Sequence, residues 1–507
     1  MELALSCDIP KIDKYAEENL KIPTATLMKR SGEAVARAVR ELTPMGGRVV
    51  ILCGKGNNGG DGYAAACELL SEYRVKTIDV FSAGQRSEAG KYWLSSFESL
   101  LGEIIQTDDL SLLGSELLAC DTIVDAIFGT GFVGNIPENI RAISDIIKRM
   151  GAKKIAVDVP LGVNADDGSL DECAISVDIT VALSYVKPGL LSYPARANTG
   201  KVVCDTLGID RARIREAFCF ENFLTDEAWA KATLPLRDSN TNKGSFGKVL
   251  LVTGSEKYRG AAHLSLEAAL RGGAGLVNYL GEQELCRELV MKLPEAIYES
   301  LSPTDSDNVE RITELSARHT ATLIGSGSGC TAELAKLVAS LLNSEGGALV
   351  LDADALNSLS MFGGKEFIKN ARRSVILTPH PLEFSRLSEK EVTYIQAHRV
   401  ECAKSYAAEN KCVLILKGAA TVITDGNRLY INSSGSSALA KAGSGDVLSG
   451  LLVSLLGFMP PTADTAALAS YIHGRAGDNL SKILSTYGVT PSDLPREIAR
   501  IISELER

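Results

Sequence analysis

Asp446 closes the segment Lys441-Ala-Gly-Ser-Gly-Asp446, which runs on through Val-Leu-Ser-Gly450 into an apolar, helix-like stretch. Gly443 and Gly445 let backbone approach a phosphate closely, and the N–H groups of the helix that follows point at its charge. A carboxylate at such a helix start can take the proton from a hydroxyl that attacks phosphorus. Its blander role is that of a helix N-cap. Lys417-Gly-Ala-Ala-Thr421 follows another apolar run and offers an ammonium and a hydroxyl to a second phosphate. The chain has no G-x-x-x-x-G-K-[ST], so phosphate is not cradled by a P-loop.

A second set of loops lies in the first half. Gly54-Lys-Gly-Asn-Asn-Gly-Gly-Asp-Gly62 contains G-x-G-x-x-G at Gly54, Gly56 and Gly59. Asp79 follows about 20 residues on, the spacing of a dinucleotide fingerprint. Asn57 and Asn58 supply amides that such a fingerprint does not need. Asp61 places a carboxylate where a pyrophosphate would meet the positive helix end, and capping a helix from Gly62 is its simpler use. Two more loops follow strand-like runs, Asp125-Ala-Ile-Phe-Gly-Thr-Gly-Phe-Val-Gly134 and Asp158-Val-Pro-Leu-Gly162. Asn58 and Asp125 can offer oxygen ligands to a hard cation.

The elements that must carry these loops alternate in type. Arg48–Cys53, Val75–Phe81, Thr122–Ala126, Lys154–Val157 and Ile179–Leu183 read as strands whose unbroken apolar character suits a parallel sheet covered on both faces. Helices are expected over Gly62–Tyr73 and Ile136–Met150. The rhythm repeats with strands at Lys248–Val252, Ala321–Ile324, Ala348–Leu351, Val375–Leu377 and Val413–Leu416. Helices are expected there at Ala261–Arg271, Thr331–Leu342 and Asp446–Leu456. This is the α/β signature, stated twice. Around residues 205–245 no strand is legible, so the boundary falls at 210–225, between domains spanning 1–215 and 225–507.

Composition narrows the function classes. The chain has 507 residues, 53 Lys+Arg against 63 Asp+Glu and a net charge of −10. That is too long for one core and too acidic for nucleic acid as the default partner. None of the 11 cysteines stands in a C-x-x-C pair, and a reducing cytoplasm fits them. The N-terminus lacks signal-peptide character, and the longest apolar stretch, Val447–Met459, is broken by Ser and Gly, so no membrane partner is expected. Alanine-rich helices fit a homo-oligomer and fit helix–sheet packing within one chain equally well.

Asn57-Asn-Gly-Gly-Asp-Gly62, Asp125-Ala-Ile-Phe-Gly-Thr-Gly131, Ala156-Val-Asp-Val-Pro160 and Lys187-Pro-Gly189 resemble the NAD(P)H-hydrate epimerase domain over about residues 8–210. The resemblance implies a Rossmann-like, doubly wound fold. It also implies that Asn57, Asn58, Gly59, Gly60, Asp61, the loop Gly129, Thr130, Gly131, Phe132, Val133, Gly134 and Asn135, and Asp158 hold a hydrated nicotinamide nucleotide. Asn58 and Asp125 would ligate a potassium ion (K+). Leu161 stands where that family has a serine at the ion site.

The second half is similar to the ADP/ATP-dependent NAD(P)H-hydrate dehydratases of the ribokinase-like superfamily, over about 225–505. Supporting elements are Lys243-Gly-Ser-Phe-Gly-Lys248, Asp352-Ala-Asp-Ala-Leu-Asn357 and Thr378-Pro-His-Pro381. By this resemblance Ala261, Gly327, His380 and Asp446 contact the hydrate, with Asp446 as the base. Lys417, Gly418, Ala419, Ala420, Thr421 and Gly445 would hold the adenine nucleotide, with Mg2+. Leu382 replaces the family's glycine after His-Pro. Together the two halves imply a bifunctional repair enzyme that epimerises hydrated NADH and NADPH and dehydrates the S form with ADP or ATP. The alternative is a ribokinase-like small-molecule kinase fused to a non-catalytic nucleotide-binding module.

Overall fold

The computed structural model describes residues 1–81, 86–106, 109–131 and 135–506. The chain divides into two compact units, Glu2–Asn222 and Phe223–Arg507.

The first unit is a seven-stranded parallel sheet. Its strands are β1 (Arg48–Cys53), β2 (Arg74–Asp79), β3 (Glu103–Gln106), β4 (Thr122–Ala126), β5 (Lys153–Val157), β6 (Ile179–Leu183) and β7 (Lys201–Asp205), in the spatial order β3-β2-β1-β4-β5-β6-β7. Strands β4 and β6 are buried at every residue, which is why they read as unbroken apolar runs. The order reverses between β1 and β4, where Cys53 lies opposite Ala126. Crossovers leave that pair in opposite directions and open a crevice at the strands' carboxyl ends. Helices α1 (Ile9–Glu18), α2 (Thr24–Leu42) and α3 (Asn57–Leu69) border it.

Helix α3 starts five residues before the expected Gly62, so Asp61 is not its cap but lies one turn inside it. Glycine-rich sequence disfavours a helix intrinsically. Tertiary contact overrides this, because the glycines are the only residues that fit. A Cβ on Gly59 would lie 2.0 Å from the Gly54 carbonyl oxygen, and one on Gly62 would lie 2.7 Å from the Ala126 Cβ.

In the second unit, β8 (Lys248–Val252), β9 (Leu276–Gly281), β10 (Ile297–Ser300), β11 (Ala321–Ile324), β12 (Ala348–Leu351), β13 (Val375–Leu377) and β14 (Val413–Leu416) are parallel neighbours. Strands β15 (Val422–Thr424) and β16 (Leu429–Asn432) extend the sheet antiparallel. The order is β10-β9-β8-β11-β12-β13-β14-β15-β16, with the reversal between β8 and β11. Among the helices packed on this sheet are α4 (Arg259–Arg271), α5 (Pro381–Ser388), α6 (Ser444–Leu455) and α7 (Ala463–Gly488).

Helix α6 also starts early. Gly443, at φ +99°, is the N-cap, which makes Asp446 the third helical residue and not the cap. The stretch read as strand-free holds a four-residue strand, Asn222–Thr225, and short helices at Arg211–Ala217 and Glu227–Thr233. Four residues between charged flanks are too few to show a period.

Gly59→Ala is expected to destabilise the first unit by about 2–3 kcal/mol, because the methyl meets a fixed carbonyl. Chemical denaturation of the full chain followed by circular dichroism tests this, and an unchanged midpoint would refute it.

Candidate functional sites

The crevice of the first unit is a cavity of about 650 Å³. Asn58, Asp61, Gly129, Thr130, Gly131 and Asp158 line it, together with Asn57. Gly59 and Gly60 are not part of its wall. Gly59 packs on the Gly54 carbonyl, and a side chain on Gly60 would strike Met28. Asn135 is exposed and is not among the lining residues. Phe132, Val133 and Gly134 lie outside the described residues. The Asn58 amide donates to the Phe128 carbonyl at 2.8 Å, which ties α3 to the loop after β4. A Cβ on Gly129 would sit 3.2 Å from the Asn58 side-chain oxygen, a tight approach between the two loops.

Asp125, at the end of β4, is buried. Its carboxylate accepts the N–H groups of Ile127 at 3.2 Å and Leu161 at 2.7 Å. Burial pushes its carboxyl up to about 6, and no cationic side chain bonds it among the described residues. Leu161 turns its side chain into the apolar cluster under the sheet, and its carbonyl accepts the Ile175 N–H. At this position Asp125 meets the backbone N–H of Leu161 and no side-chain hydroxyl. Asp125 is thus a buried carboxylate whose bonds among the described residues come from backbone N–H groups alone.

Asp158 directly follows β5 and sits at φ +66°, a conformation that non-glycine residues rarely adopt. Its carboxylate accepts the Leu183 N–H at 3.1 Å and pairs with the ammonium of Lys187. That lysine is fully buried and also donates to the Leu183 carbonyl at 3.0 Å. Two residues that sequence reasoning passed over thus belong to the site, Lys187 and Asp13 of α1, which lines the same cavity. Lys187 was visible in Lys187-Pro-Gly189. Asp13 carried no signal, since one acidic residue on an amphipathic helix reads as solvated surface. Asp79, the candidate ribose acceptor, is buried and closed off by an ion pair with Arg86. The dinucleotide fingerprint therefore does not extend to it.

The second site is assembled at the β8/β11 reversal. Ala261 of α4 and Gly327 after β11 abut, with room for no side chain on Gly327, and Ser255 holds the Gly327 carbonyl at 2.8 Å. Next along the crevice, Asp352 follows β12. One of its carboxylate oxygens accepts Thr378 at 2.6 Å and the Lys417 ammonium at 3.0 Å, and the other accepts Ser326 at 2.9 Å. Although burial opposes ionisation, Lys417 and these hydroxyls hold Asp352 below the usual carboxylate range. Lys417 Nζ lies 3.9 Å from Glu383, and a Cβ on Gly445 would be 3.4 Å from it. Asp446 has its carboxyl pushed up to about 7, by burial first and then by Asp352.

His380 is the N-cap of α5. Its Nδ1 accepts the N–H groups of Leu382 and Glu383, and its Nε2 is 3.2 Å from Glu383 Oε1. The ring is therefore neutral and fixed by its own helix, with its side chain about half exposed. Leu382 projects outward at 48 % exposure. In the phosphate segment, Gly418, at φ +147°, leaves no space for a side chain beside the Arg399 guanidinium, and Ala419 is exposed. Ala420 takes φ +49°, while the Thr421 hydroxyl bonds back to the Gly418 carbonyl at 2.8 Å. Arg399 donates to the carbonyls of Leu416 and Lys417, so it shapes this turn from behind. Asp352 and Glu383, both in contact with Lys417, escaped sequence reasoning as site residues. Their positions directly after a strand and just past Pro-His-Pro were the available signal.

Both units thus have a crevice at a strand-order reversal, rimmed by glycine turns and floored by an Asp–Lys pair, which defines an α/β enzyme of two ligand-binding domains. A family model described as NAD(P)H-hydrate dehydratase matches residues 249–500, and one described as YjeF-related protein N-terminus matches 24–189. The chain is 32% identical to a bifunctional NAD(P)H-hydrate repair enzyme of Thermofilum pendens, across 100% of this chain and 97% of that one. It is 33% identical to the Moorella thermoacetica enzyme of that name (100% and 97%) and 32% identical to that of Escherichia coli (98% and 93%). The chain belongs to the family of bifunctional NAD(P)H-hydrate repair enzymes. Among solved structures, a ribokinase-like superfamily protein from Enterococcus faecalis matches at TM-score 0.50 and 24% identity, over 57% of this chain and 98% of that one, and shows the fold of the second unit. An ADP/ATP-dependent NAD(P)H-hydrate dehydratase from Bacillus subtilis matches at TM-score 0.49 and 31% identity, over 55% and 97%. No helix among the described residues is long and apolar enough to cross a membrane.

Lys417→Met leaves Asp352 buried and unpaired, and is expected to destabilise the second unit by about 3 kcal/mol. The pair's contribution is full above the ordinary carboxylate range and fades as pH falls below it, because the folded carboxyl is the more acidic one. Denaturant midpoints at pH 7 and pH 3 test this: a variant as stable as the wild type at pH 7 would contradict it.

Proposed function

We propose that the first unit interconverts the R and S hydrates of NADH and NADPH and that the second dehydrates the S hydrate with ADP or ATP. The observation that carries the second activity is Asp446, a partly buried carboxyl without a hydrogen-bond partner among the described residues, at the first turn of α6 beside Gly445 and Lys417. The ring hydroxyl attacks the terminal phosphorus of the nucleotide, and Asp446 takes its proton. The P–O bond to the nucleotide breaks, and Lys417 with the N–H groups of α6 offsets the charge. The ring nitrogen then expels the phosphate, and loss of a proton from the neighbouring carbon restores the dihydronicotinamide.

Ala261, Gly327 and the outward face of His380 would receive the hydrate. Lys417 to Thr421 and Gly445 would receive the nucleotide. Asp352, Glu383 and Asp446 all act on one ammonium, that of Lys417, so the site is negative. Mg2+ brought in on the nucleotide phosphates would offset that charge. In the first unit Asn58 and Asp125 would hold K+, which supplies the positive charge that buried Asp125 lacks. Asn57, Asn58, Asp61, the loop from Gly129 and Asp158 would hold the hydrate.

Asp446→Ala is expected to lower S-hydrate dehydration at least about 100-fold and to leave R/S interconversion intact. Because the base must be ionised, wild-type dehydration should rise with pH through about 7. Recovery of NADH absorbance with ADP or ATP measures both, and a variant as active as the wild type would sink the assignment. Potassium chloride is expected to raise the melting temperature of the first unit by about 2–4 °C over sodium chloride. Asn58→Ala should erase that difference, and equal wild-type melts in the two salts would refute the ion site.

A further inference from the structure

The cavity of the first unit contains more acid than binding requires. Asp13 reaches it from α1, Asp61 from α3 and Asp158 from the end of β5. Asp158 is spoken for: its carboxylate is neutralised by fully buried Lys187. Asp13 and Asp61 have no such cation. Among the described residues Asp13 makes no hydrogen bond or ion pair. Asp61 is buried and takes a side-chain hydrogen bond from the Ser31 hydroxyl of α2, an uncharged donor. The other charged groups lining the cavity are Lys14 and Glu17, on the same helix as Asp13, and Lys55 in the β1–α3 turn.

A carboxyl group buried in a cavity beside other carboxyl groups is harder to ionise, because each charge raises the cost of the next. The neighbours act in that sense. Burial pushes Asp13 up to about 6, with Asp158 adding to the shift and Lys187 opposing it. Burial, and then Asp158 and Asp13, hold Asp61 well above the carboxylate range, against the opposing pull of the Ser31 hydroxyl and of Lys187. At neutral pH the pair therefore carries one proton that it can give and take back.

Inverting the hydrated ring asks for such a pair. The hydroxyl sits on the carbon beside the ring nitrogen, because that is where water adds to a protonated enamine. We propose that Asp13 and Asp61 are the acid–base pair of the epimerase, the protonated carboxyl releasing the ring hydroxyl as water and the ionised one accepting a proton from the water that returns. As the proton passes to the hydroxyl oxygen, the C–O bond breaks, and the nitrogen lone pair forms a C=N bond. Water then adds to the opposite face, the C=N electrons return to nitrogen, and the proton lost from that water restores the pair. No oxidant or co-reactant is consumed.

This inference rests on the epimerase reading above. The test is R/S interconversion by the full chain, followed by chromatography of pure R hydrate without nucleotide. Asp13→Asn and Asp61→Asn are each expected to lower kcat at least about 100-fold, a larger effect than any rise in KM, while dehydration of S hydrate is unchanged. Each variant should also lose one limb of the wild-type pH profile, which a purely structural role would not remove. Asp13→Glu, which keeps the acid, should recover at least a tenth of the wild-type rate. A variant within fivefold of wild type, a loss confined to KM, or an unaltered pH profile would overturn the assignment. Wild-type protein that fails to interconvert the epimers would overturn the epimerase reading itself, and the inference with it.

Discussion

A lysine turned inward onto the aspartate that follows a parallel strand is the interaction around which each site is built. Asp158 follows β5 and meets Lys187, and Asp352 follows β12 and meets Lys417. Neither aspartate could be buried alone, since an isolated charge in a low-dielectric interior costs several kcal/mol. The pairing therefore fixes more than two side chains. Lys187 draws in the Leu183 carbonyl, and Asp158 accepts the Leu183 N–H from an otherwise unfavourable backbone conformation. Asp352 gathers Ser326 from the β11 turn and Thr378 from the β13 turn onto one carboxylate. Three strand ends are thereby held in register around a charged floor.

That floor explains the electrostatics of both clefts. In the second unit, Lys417 satisfies Asp352 before anything else binds, so Asp446 feels a net negative surrounding and holds its proton to about 7. In the first, Lys187 satisfies Asp158, and the remaining carboxyls share what is left. An acidic chain binding anionic nucleotides is consistent with this arrangement, because the binding field comes from helix N-termini, oriented N–H groups and cations and not from net charge.

The departures from the family pattern are absorbed locally for visible reasons. Leu161 fills apolar space under the sheet while its N–H serves Asp125, and Leu382 points outward from the first turn of a helix that His380 caps. Leu161 is not among the residues that line the first cavity, and Leu382 is half exposed. The site glycines allow no such freedom where they touch their neighbours: Gly54, Gly59 and Gly62 in the first unit and Gly327 in the second stand where a methyl group would overlap an adjoining atom.

By itself the sequence determined the α/β class, all five central strands of each half and the glycine segments that rim both crevices. Those features depend on local hydrophobic runs and on residue types with one steric use, and such signals survive without a fold. Short strands such as Glu103–Gln106 and Leu429–Asn432 escaped, because four residues, of which only two or three are apolar or aromatic, are too few to show a period or a long apolar run. The starts of α3 and α6 also escaped, because Asn-Asn-Gly-Gly and Gly-Ser-Gly are poor helix formers that only tertiary contact makes helical. Tertiary structure alone decided which carboxylate meets which lysine. Asp158 and Lys187 are 29 residues apart and Asp352 and Lys417 are 65 apart, while Asp13 enters its cleft from a helix that precedes the sheet. No spacing along the chain encodes those meetings, since they follow from strand order, and strand order is set by packing the whole sheet.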